Sequence, residues 1–181
     1  MPRVSLPSSR RCPCTSSTPA APGLGLGFAA LVAARTEGDG ATVAAEAERV
    51  GQSSAAWFVV DSLDHLRRGG RISAAAAALG TVLGLRPVLA LREGRIDVAE
   101  RVRTRPAARD RLVQLVHDEA ARRPGPVRIA VHHLGRPDIA DTLADRLHEV
   151  EGAVEIRVAE VGAVLGGHLG AGALAVVVVD A

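Results

Sequence analysis

Two short stretches of the sequence carry residue types that can bind an anion. The first, 63–73 (LDHLRRGGRIS), places Arg67, Arg68 and Arg71 around two glycines, directly before a predicted helix. Guanidinium groups, exposed backbone amides and the positive end of a helix dipole all favour negative charge. The sequence therefore predicts an anion site here. The alternative is a helix–turn–helix corner whose arginines are only solvated.

The second stretch, 166–173 (GGHLGAGA), places His168 alone among glycines before an apolar run. Glycine lets the backbone approach a ligand closely, and an imidazole N–H can donate a hydrogen bond to a carboxylate. This pattern favours a carboxylate-binding loop. The alternative is a histidine that is merely packed or exposed in a loop.

The remaining chemistry-bearing residues form weaker patterns. His132 and His133 adjoin on a predicted strand, so they should point to opposite faces and share no metal ion. His117 and His148 lie on charged helix faces. The sequence has no Walker loop, no HExxH, no G-x-S-x-G and no Cys/His spacing typical of a metal site. We expect neither a metal nor a cofactor.

Composition limits the functions that these residues can serve. The 181 residues are 48% hydrophobic and 23% charged, which is enough for a buried core. One tryptophan, two phenylalanines and no tyrosine leave few rings to stack on bases, and the net charge is only +2. We expect no nucleic-acid partner. Cys12 and Cys14 provide no disulfide framework, which favours a reducing, cytoplasmic setting.

Residues 1–22 show neither helical nor strand periodicity and are rich in Ser, Pro and Arg. We interpret them as a disordered leader or as sequence upstream of the true start. A secretory signal is the alternative, but Pro22 and nearby glycines interrupt the apolar run that would form its hydrophobic segment. The sequence also lacks the ~20 unbroken apolar residues that a membrane span requires.

Apolar periodicity predicts an α/β fold, with a mixed six-stranded sheet and flanking helices. Predicted strands cover 55–60, 87–92, 95–102, 127–133, 153–159 and 173–179, and 162–172 is predicted as a glycine-rich loop. Predicted helices cover 28–50 with a break at 38–40, then 63–68, 74–83, 106–123 and 138–149. The first helix should bury Phe28, Leu31, Val32 and Ala34. The run AVVVV should form a central strand, covered on both faces.

Three motifs resemble the C-terminal half of the DegV family, bacterial fatty-acid-binding proteins of the FakB type. They are VVDSLDHLRRGGRIS at 59–73, LRPVLALREGRI at 85–96 and GGHLGAGALAV at 166–176. The resemblance extends over 23–179. It implies a carrier without catalytic residues, which holds one long-chain fatty acid between two α/β domains. Such a carrier presents the carboxylate to a fatty acid kinase subunit (FakA-like) for acyl-phosphate formation.

The resemblance also implies roles for particular residues. The family's carboxylate-contacting histidine corresponds to His168, and the arginine of its G-G-R-I motif corresponds to Arg71, near the site and the kinase-facing surface. We expect the loops and the acyl tunnel to be lined by Gly70, Ile72, Gly167, Gly170, Leu79 and Leu83. Transient membrane contact and a dimer through an exposed apolar face are further expectations.

The sequence departs from the family pattern in two ways. Gly167 and Ala171 stand where the family loop G-T-H-x-G-P-G has Thr and Pro, and the T-S-Q-P-S and S-G-T-Y segments of the N-terminal domain do not occur. We therefore expect a truncated chain: 1–22 as leader, 23–54 as a remnant helix of the N-terminal domain, and 55–181 as the C-terminal domain. Such a chain should fold yet bind a fatty acid weakly. The alternatives are a fragment without activity and an acyl or phosphoryl transferase that uses His168 and Arg71.

Overall fold

The computed structural model of the protein describes residues 22–72, 85–92 and 94–181. The helices in these ranges are α1 Leu24–Arg35, α2 Gly40–Gln52, α3 Asp64–Arg68, α4 Arg105–Arg122, α5 Pro137–Leu147 and α6 Ala163–Leu169. The strands are β1 Ala55–Val59, β2 Arg86–Arg92, β3 Arg95–Val102, β4 Val127–His133, β5 Ala153–Glu160 and β6 Leu174–Asp180. The predicted helix at 74–83, and Cys12 and Cys14 in the predicted leader, lie outside the described residues.

The strands form one mixed sheet in the order β3-β2-β1-β6-β4-β5. Neighbouring strands are antiparallel except β4 and β5, which are parallel and connected through α5. The AVVVV strand β6 lies between β1 and β4, and its residues Val176 to Val179 are at most 1% exposed. The predicted fold class and the central position of the last strand are both confirmed.

One face of the sheet, which we call the closed face, is covered by α4 and α5. Strand residues on this face join apolar residues of both helices in one continuous cluster, which includes Trp57, Ile129, Val131, Val176, Val178, Leu112, Val116, Leu143 and Leu147. Thr104 caps α4, because its hydroxyl accepts from the Ala107 amide at 3.2 Å. This face forms the main core of the described residues.

The other face, which we call the divided face, is covered in two separate places. One cluster joins α1 and α2 to the sheet through Phe28, Ala29, Val50, Ala56, Ala130, Val177 and Val179. The second joins α3 to the sheet through Leu66, Phe58, Val60, Leu89 and Ala173, with half-buried Leu169 of α6 packed against it. The two clusters remain distinct, so the described helices leave the middle of this face uncovered.

The helix predicted at 28–50 with a break at 38–40 is two helices in the structure, α1 and α2, which are separated close to that break. The chain turns at Gly38, whose φ of 143° is unfavourable for other residues, and Asp39 then caps α2 by accepting from the Thr42 amide at 2.9 Å. Both helices lie directly on the sheet that the prediction assigned to the C-terminal domain. Their origin as a remnant of another domain stays a prediction.

The predicted buried face of α1 was wrong at two positions. Leu31 is 44% exposed and Ala34 is exposed, whereas Phe28 and Ala29 are buried. The sequence of α1 is apolar on most sides, so its periodicity does not define a single inner face. None of the helices in the described part of the chain is long and apolar enough to cross a membrane.

The predicted loop at 162–172 was wrong over most of its length, because it contains α6. Gly166 lies where a Cβ would come within 3.2 Å of Leu134 Cδ2, so glycine lets this helix pack closely against the chain after β4. Gly170, with φ of 77°, then ends the helix. Glycines in this stretch serve close packing and helix termination, and they do not prevent a helix.

Candidate functional site

A cavity of about 350 Å³ lies on the divided face, between its two clusters. The sheet forms the floor, through Ala56, Phe58, Leu91, Ala175 and Val177. The two alanines contribute to the open space, because their side chains end at Cβ where leucine or phenylalanine would extend upward. The volume falls in the range of small-molecule sites, about 300–1,000 Å³.

Helix ends and turns form the walls of this cavity. They contribute Leu66, Arg71, Leu165, His168 and Leu169 from α3, the turn after it and α6, and Pro22, Gly23 and His132 from the start of α1 and the end of β4. Among the described lining residues, only Arg71, His132 and His168 have titratable side chains. The cavity is therefore an apolar space with a few cationic or imidazole groups at its walls.

His168 lies on the last turn of α6, half-buried, with its ring against Gly69. A Cβ on Gly69 would be 2.7 Å from His168 Nδ1, so a larger residue would push the ring away. His65 of α3 lies in the same way against Gly170, where a Cβ would be 2.6 Å from His65 Cδ2. Each helix thus places its histidine ring against a glycine at the end of the other helix, which allows α3 and α6 to approach closely.

Arg71 is directed to the cavity by the way α3 ends. The Arg71 amide donates to the Leu66 carbonyl at 3.0 Å and the Gly70 amide donates to the Arg67 carbonyl at 3.1 Å. With Gly70 at φ 63°, these bonds form a Schellman motif, which reverses the chain after the helix. Arg71 therefore borders the cavity while its residue as a whole stays exposed.

Comparison with known proteins identifies the fold that carries this cavity. The family model for uncharacterised proteins of the DegV family matches residues 20–181. The chain belongs to the DegV family. A DegV domain-containing protein of Streptomyces coelicolor is 49% identical over 159 residues, which cover 86% of this chain and 56% of that protein.

Two solved structures of DegV proteins are similar to the chain over most of its length. One, described as fatty acid binding of a DegV family protein from Thermus thermophilus, has 32% identity and a TM-score of 0.76, and the match covers 88% of this chain and 58% of that one. The other, DegV from Bacillus subtilis, a fatty acid binding protein, has 34% identity and a TM-score of 0.72 over 87% of this chain and 57% of that one. The chain thus spans a little more than half the length of these DegV relatives.

The structure brings the two carboxylate-binding residues predicted from the DegV motifs, His168 and Arg71, to the same cavity. Their roles stay predictions. Of the predicted loop and tunnel residues, Gly70, Ile72, Gly167 and Gly170 do not border this cavity, and their role in lining an acyl tunnel stays a prediction. Ile72 instead forms an isolated bridge with Ile96, and Gly170 is buried beneath His65. Leu79 and Leu83 lie outside the described residues.

His132 lines the same cavity as His168, but its sequence pattern did not lead us to predict it as a site residue. His132 is 6% exposed, and both ring nitrogens are occupied: Nε2 accepts from the Leu24 amide at 3.0 Å, and Nδ1 lies 3.2 Å from the Ala159 carbonyl, to which it donates. Burial lowers the pKa of His132 below its usual value, against the opposing effect of the Ala159 bond. His132 is therefore neutral near pH 7 and has no N–H left for a ligand.

The signal for His132 was present in the strand pattern. His132 shares a face with Ala130, two residues earlier, and Ala130 lies in the cluster beneath α1. His133 points to the opposite face, as predicted, and is 7% exposed. Across the described residues, no group of three His, Cys, Asp or Glu side chains is placed to hold a metal ion.

Proposed function

We propose that the chain forms one wall of a fatty-acid site and that His168 and Arg71 hold the carboxylate. The observation that carries this proposal is the apolar cavity on the divided face, to which both residues contribute. An acyl chain needs an apolar floor, and a carboxylate needs charge-assisted hydrogen bonds. DegV relatives from Thermus thermophilus and Bacillus subtilis, described as fatty acid binding, support the same ligand class.

Of the three titratable residues at the cavity, His168 and Arg71 fit the carboxylate best. Both nitrogens of His132 are engaged within the protein, so that ring offers the ligand no donor. Arg71 carries a guanidinium that can bind a carboxylate in bidentate geometry, and it remains exposed at the rim. His168 lines the cavity with its ring against Gly69, and its imidazole can donate a hydrogen bond to a carboxylate.

The cavity favours binding over transferase chemistry. An acyl or phosphoryl transferase needs a nucleophile beside its general base. The described lining residues include neither a hydroxyl nor a thiol nor a carboxylate side chain. We therefore assign His168 and Arg71 to ligand binding and propose a carrier without catalytic residues.

We further propose that the carrier presents its ligand to a fatty acid kinase. In that reaction a carboxylate oxygen attacks the γ-phosphorus of ATP, the bond to ADP breaks, and an acyl phosphate forms. Residues 64–71, which form α3 and the turn after it beside the cavity, offer a basic docking surface. Their exposed Arg67, Arg68 and Arg71 outnumber the single carboxylate of Asp64. Val164 borders the cavity and is 80% exposed, so it offers an apolar contact for a membrane or for a second copy of the chain. A carrier that presents a fatty acid to a kinase would work in the cytoplasm.

A fluorescent fatty acid and its uncharged ester test the carboxylate assignment. We expect His168→Ala to weaken binding of dansylundecanoic acid by about tenfold or more, because a lost hydrogen bond to a charged group costs roughly 1.5–3 kcal/mol. Binding of the methyl ester should change little. The matched control is His148→Ala, an exposed histidine at the end of α5 on the other side of the sheet. Equal losses for acid and ester would refute the assignment.

Two further measurements test the carrier proposal. We expect a solvent extract of the purified 181-residue chain, analysed by mass spectrometry, to contain no stoichiometric fatty acid, because the described residues leave the cavity partly open. Adding a bacterial fatty acid kinase, ATP and palmitate should yield acyl phosphate, trapped by hydroxylamine as the hydroxamate. Hydroxamate formation that does not depend on the chain would contradict the presentation role.

A further inference from the structure

Gly23, just before α1, gives the first turn of this helix no side-chain cap, although the Pro22 carbonyl accepts from the Gly25 amide at 3.1 Å. The first amides of a helix have no partner inside it, and a side chain just before the helix usually accepts from one of them. Here that position is Gly23, which has no side chain to do so. The acceptor comes from the sheet instead: the Leu24 amide donates to His132 Nε2 at 3.0 Å, across 108 positions of sequence.

The imidazole is held from both sides, so it can serve as a fixed acceptor. Nδ1 donates to the Ala159 carbonyl of β5 at 3.2 Å, which leaves Nε2 without a proton and free to accept. On the other side the backbone of Gly23 lies so close that a Cβ there would be 2.7 Å from Nε2. With φ of 59°, Gly23 is also in a conformation that other residues adopt at a cost.

The same residues border the cavity: Pro22, Gly23 and His132 all line it. We propose that His132 is a positioning residue, which fixes the first turn of α1 and with it the cavity wall formed by Pro22 and Gly23. The hydrogen bond from the Leu24 amide to His132 is observed whatever the ligand, whereas its effect on fatty-acid binding rests on the proposed function. His132 then acts on the ligand only through the place where α1 begins.

The state of the ring agrees with this role. An imidazole can accept a hydrogen bond only in its neutral form, and a charged ring would also face the positive end of α1. Burial lowers the pKa of His132 and so favours the neutral form. The adjacent His133 ring lies on the opposite face and cannot replace it.

The test compares two neighbouring histidines of equal burial, His132 at 6% and His133 at 7% exposed. His132→Leu should raise the hydrogen-exchange rate of the Leu24 amide by about fivefold relative to a core amide such as that of Val177, the effect of losing one helix cap. His132→Gln should restore slow exchange, because its side-chain oxygen reaches the position of Nε2. His133→Leu should leave Leu24 unchanged. Imidazole ¹⁵N spectra of the parent should give His132 a protonated Nδ1 and an unprotonated Nε2.

Dansylundecanoic acid reports the cavity wall. We expect its affinity to fall about fivefold in His132→Leu, to recover in His132→Gln and to stay at the parental value in His133→Leu. Unchanged Leu24 exchange in His132→Leu overturns the proposal, and so does faster exchange with unaltered affinity. If the parent chain does not bind the probe, the proposed function fails, while Leu24 exchange still decides whether His132 holds the helix.

Discussion

The two faces of the sheet differ in how completely the described helices cover them. On the closed face, side chains of α4 and α5 meet the strands in one continuous cluster. On the divided face, two clusters stop short of each other and leave a cavity of about 350 Å³. Successive side chains of a strand point to opposite faces of the sheet. Val176 therefore packs in the cluster on the closed face, whereas its neighbour Val177 packs in a cluster on the divided face. One face therefore holds the main core of the described residues, and the other holds the cavity.

The closed face also explains why the chain is expected to hold its fold. Residues such as Leu112, Ile129, Val131, Val176 and Val178 are fully buried there without help from the divided face. Changes that enlarge or fill the cavity should therefore leave the main core intact. A side chain shortened or enlarged on the closed face should therefore have a different effect on stability from a similar change on the divided face.

The largest difference should come from shortening a side chain. Ile129→Ala on the closed face removes a side chain with no exposure and should destabilise the protein by about 2–5 kcal/mol. Leu169→Ala, at the wall of the cavity, should cost less, because Leu169 already borders open space and is only half-buried. Urea unfolding measures both. A greater loss for Leu169→Ala would show that the divided face carries the main core.

A smaller difference in stability, in the same direction, should come from enlarging a side chain. Ala140→Leu on α5 inserts atoms where the alanine has no exposure, and we expect a loss of about 1–3 kcal/mol. Ala175→Leu places the same atoms over the cavity floor, with little change in stability. Ala175→Leu should instead abolish binding of dansylundecanoic acid. Retained binding in this variant would place the ligand somewhere other than this cavity.

The contrast between the faces also explains what the sequence could predict. On the closed face, alternation along β4 and the 3.6-residue period of α5 both point at one core, which contains Ile129, Leu143 and Leu147. The unbroken run of β6 likewise predicted a central strand, because both faces of that strand are covered.

The divided face was harder to predict, since its contacts join segments far apart in the chain. Only the family motifs predicted that His168 and Arg71 belong to one site. The packing of His168 against Gly69 results from the close approach of α3 and α6, which lie far apart in the sequence. Glycines around His168 predicted a loop, whereas tertiary packing makes a helix. The bond from Leu24 to His132 had no local signal, because a helix cap from a distant strand leaves no pattern near the helix.

The smallest expected effect is a pH dependence of stability from His132. Burial lowers the pKa of His132 in the folded protein, whereas in the unfolded chain it should titrate near 6.5. As the pH falls below about 6.5, the unfolded state takes up more protons than the folded state. The contribution of His132 to the free energy of unfolding is therefore fully present above about pH 6.5 and is lost as the pH falls toward the pKa of the folded protein. In the same range the Leu24 amide loses its acceptor.

Urea unfolding of the parent and His132→Gln between pH 7.5 and 5 isolates this contribution, because all other groups titrate in both proteins. We expect the parent to lose more stability on acidification than the variant, and the difference to appear below about pH 6.5. Protection of the Leu24 amide from hydrogen exchange, measured relative to the intrinsic rate at each pH, should fall in the parent over the same interval, before that of Val177 on the same face. Parallel curves for the two proteins would mean that the ring does not remain neutral in the fold. The divided face would then lack the fixed wall that distinguishes its cavity from an incidental gap.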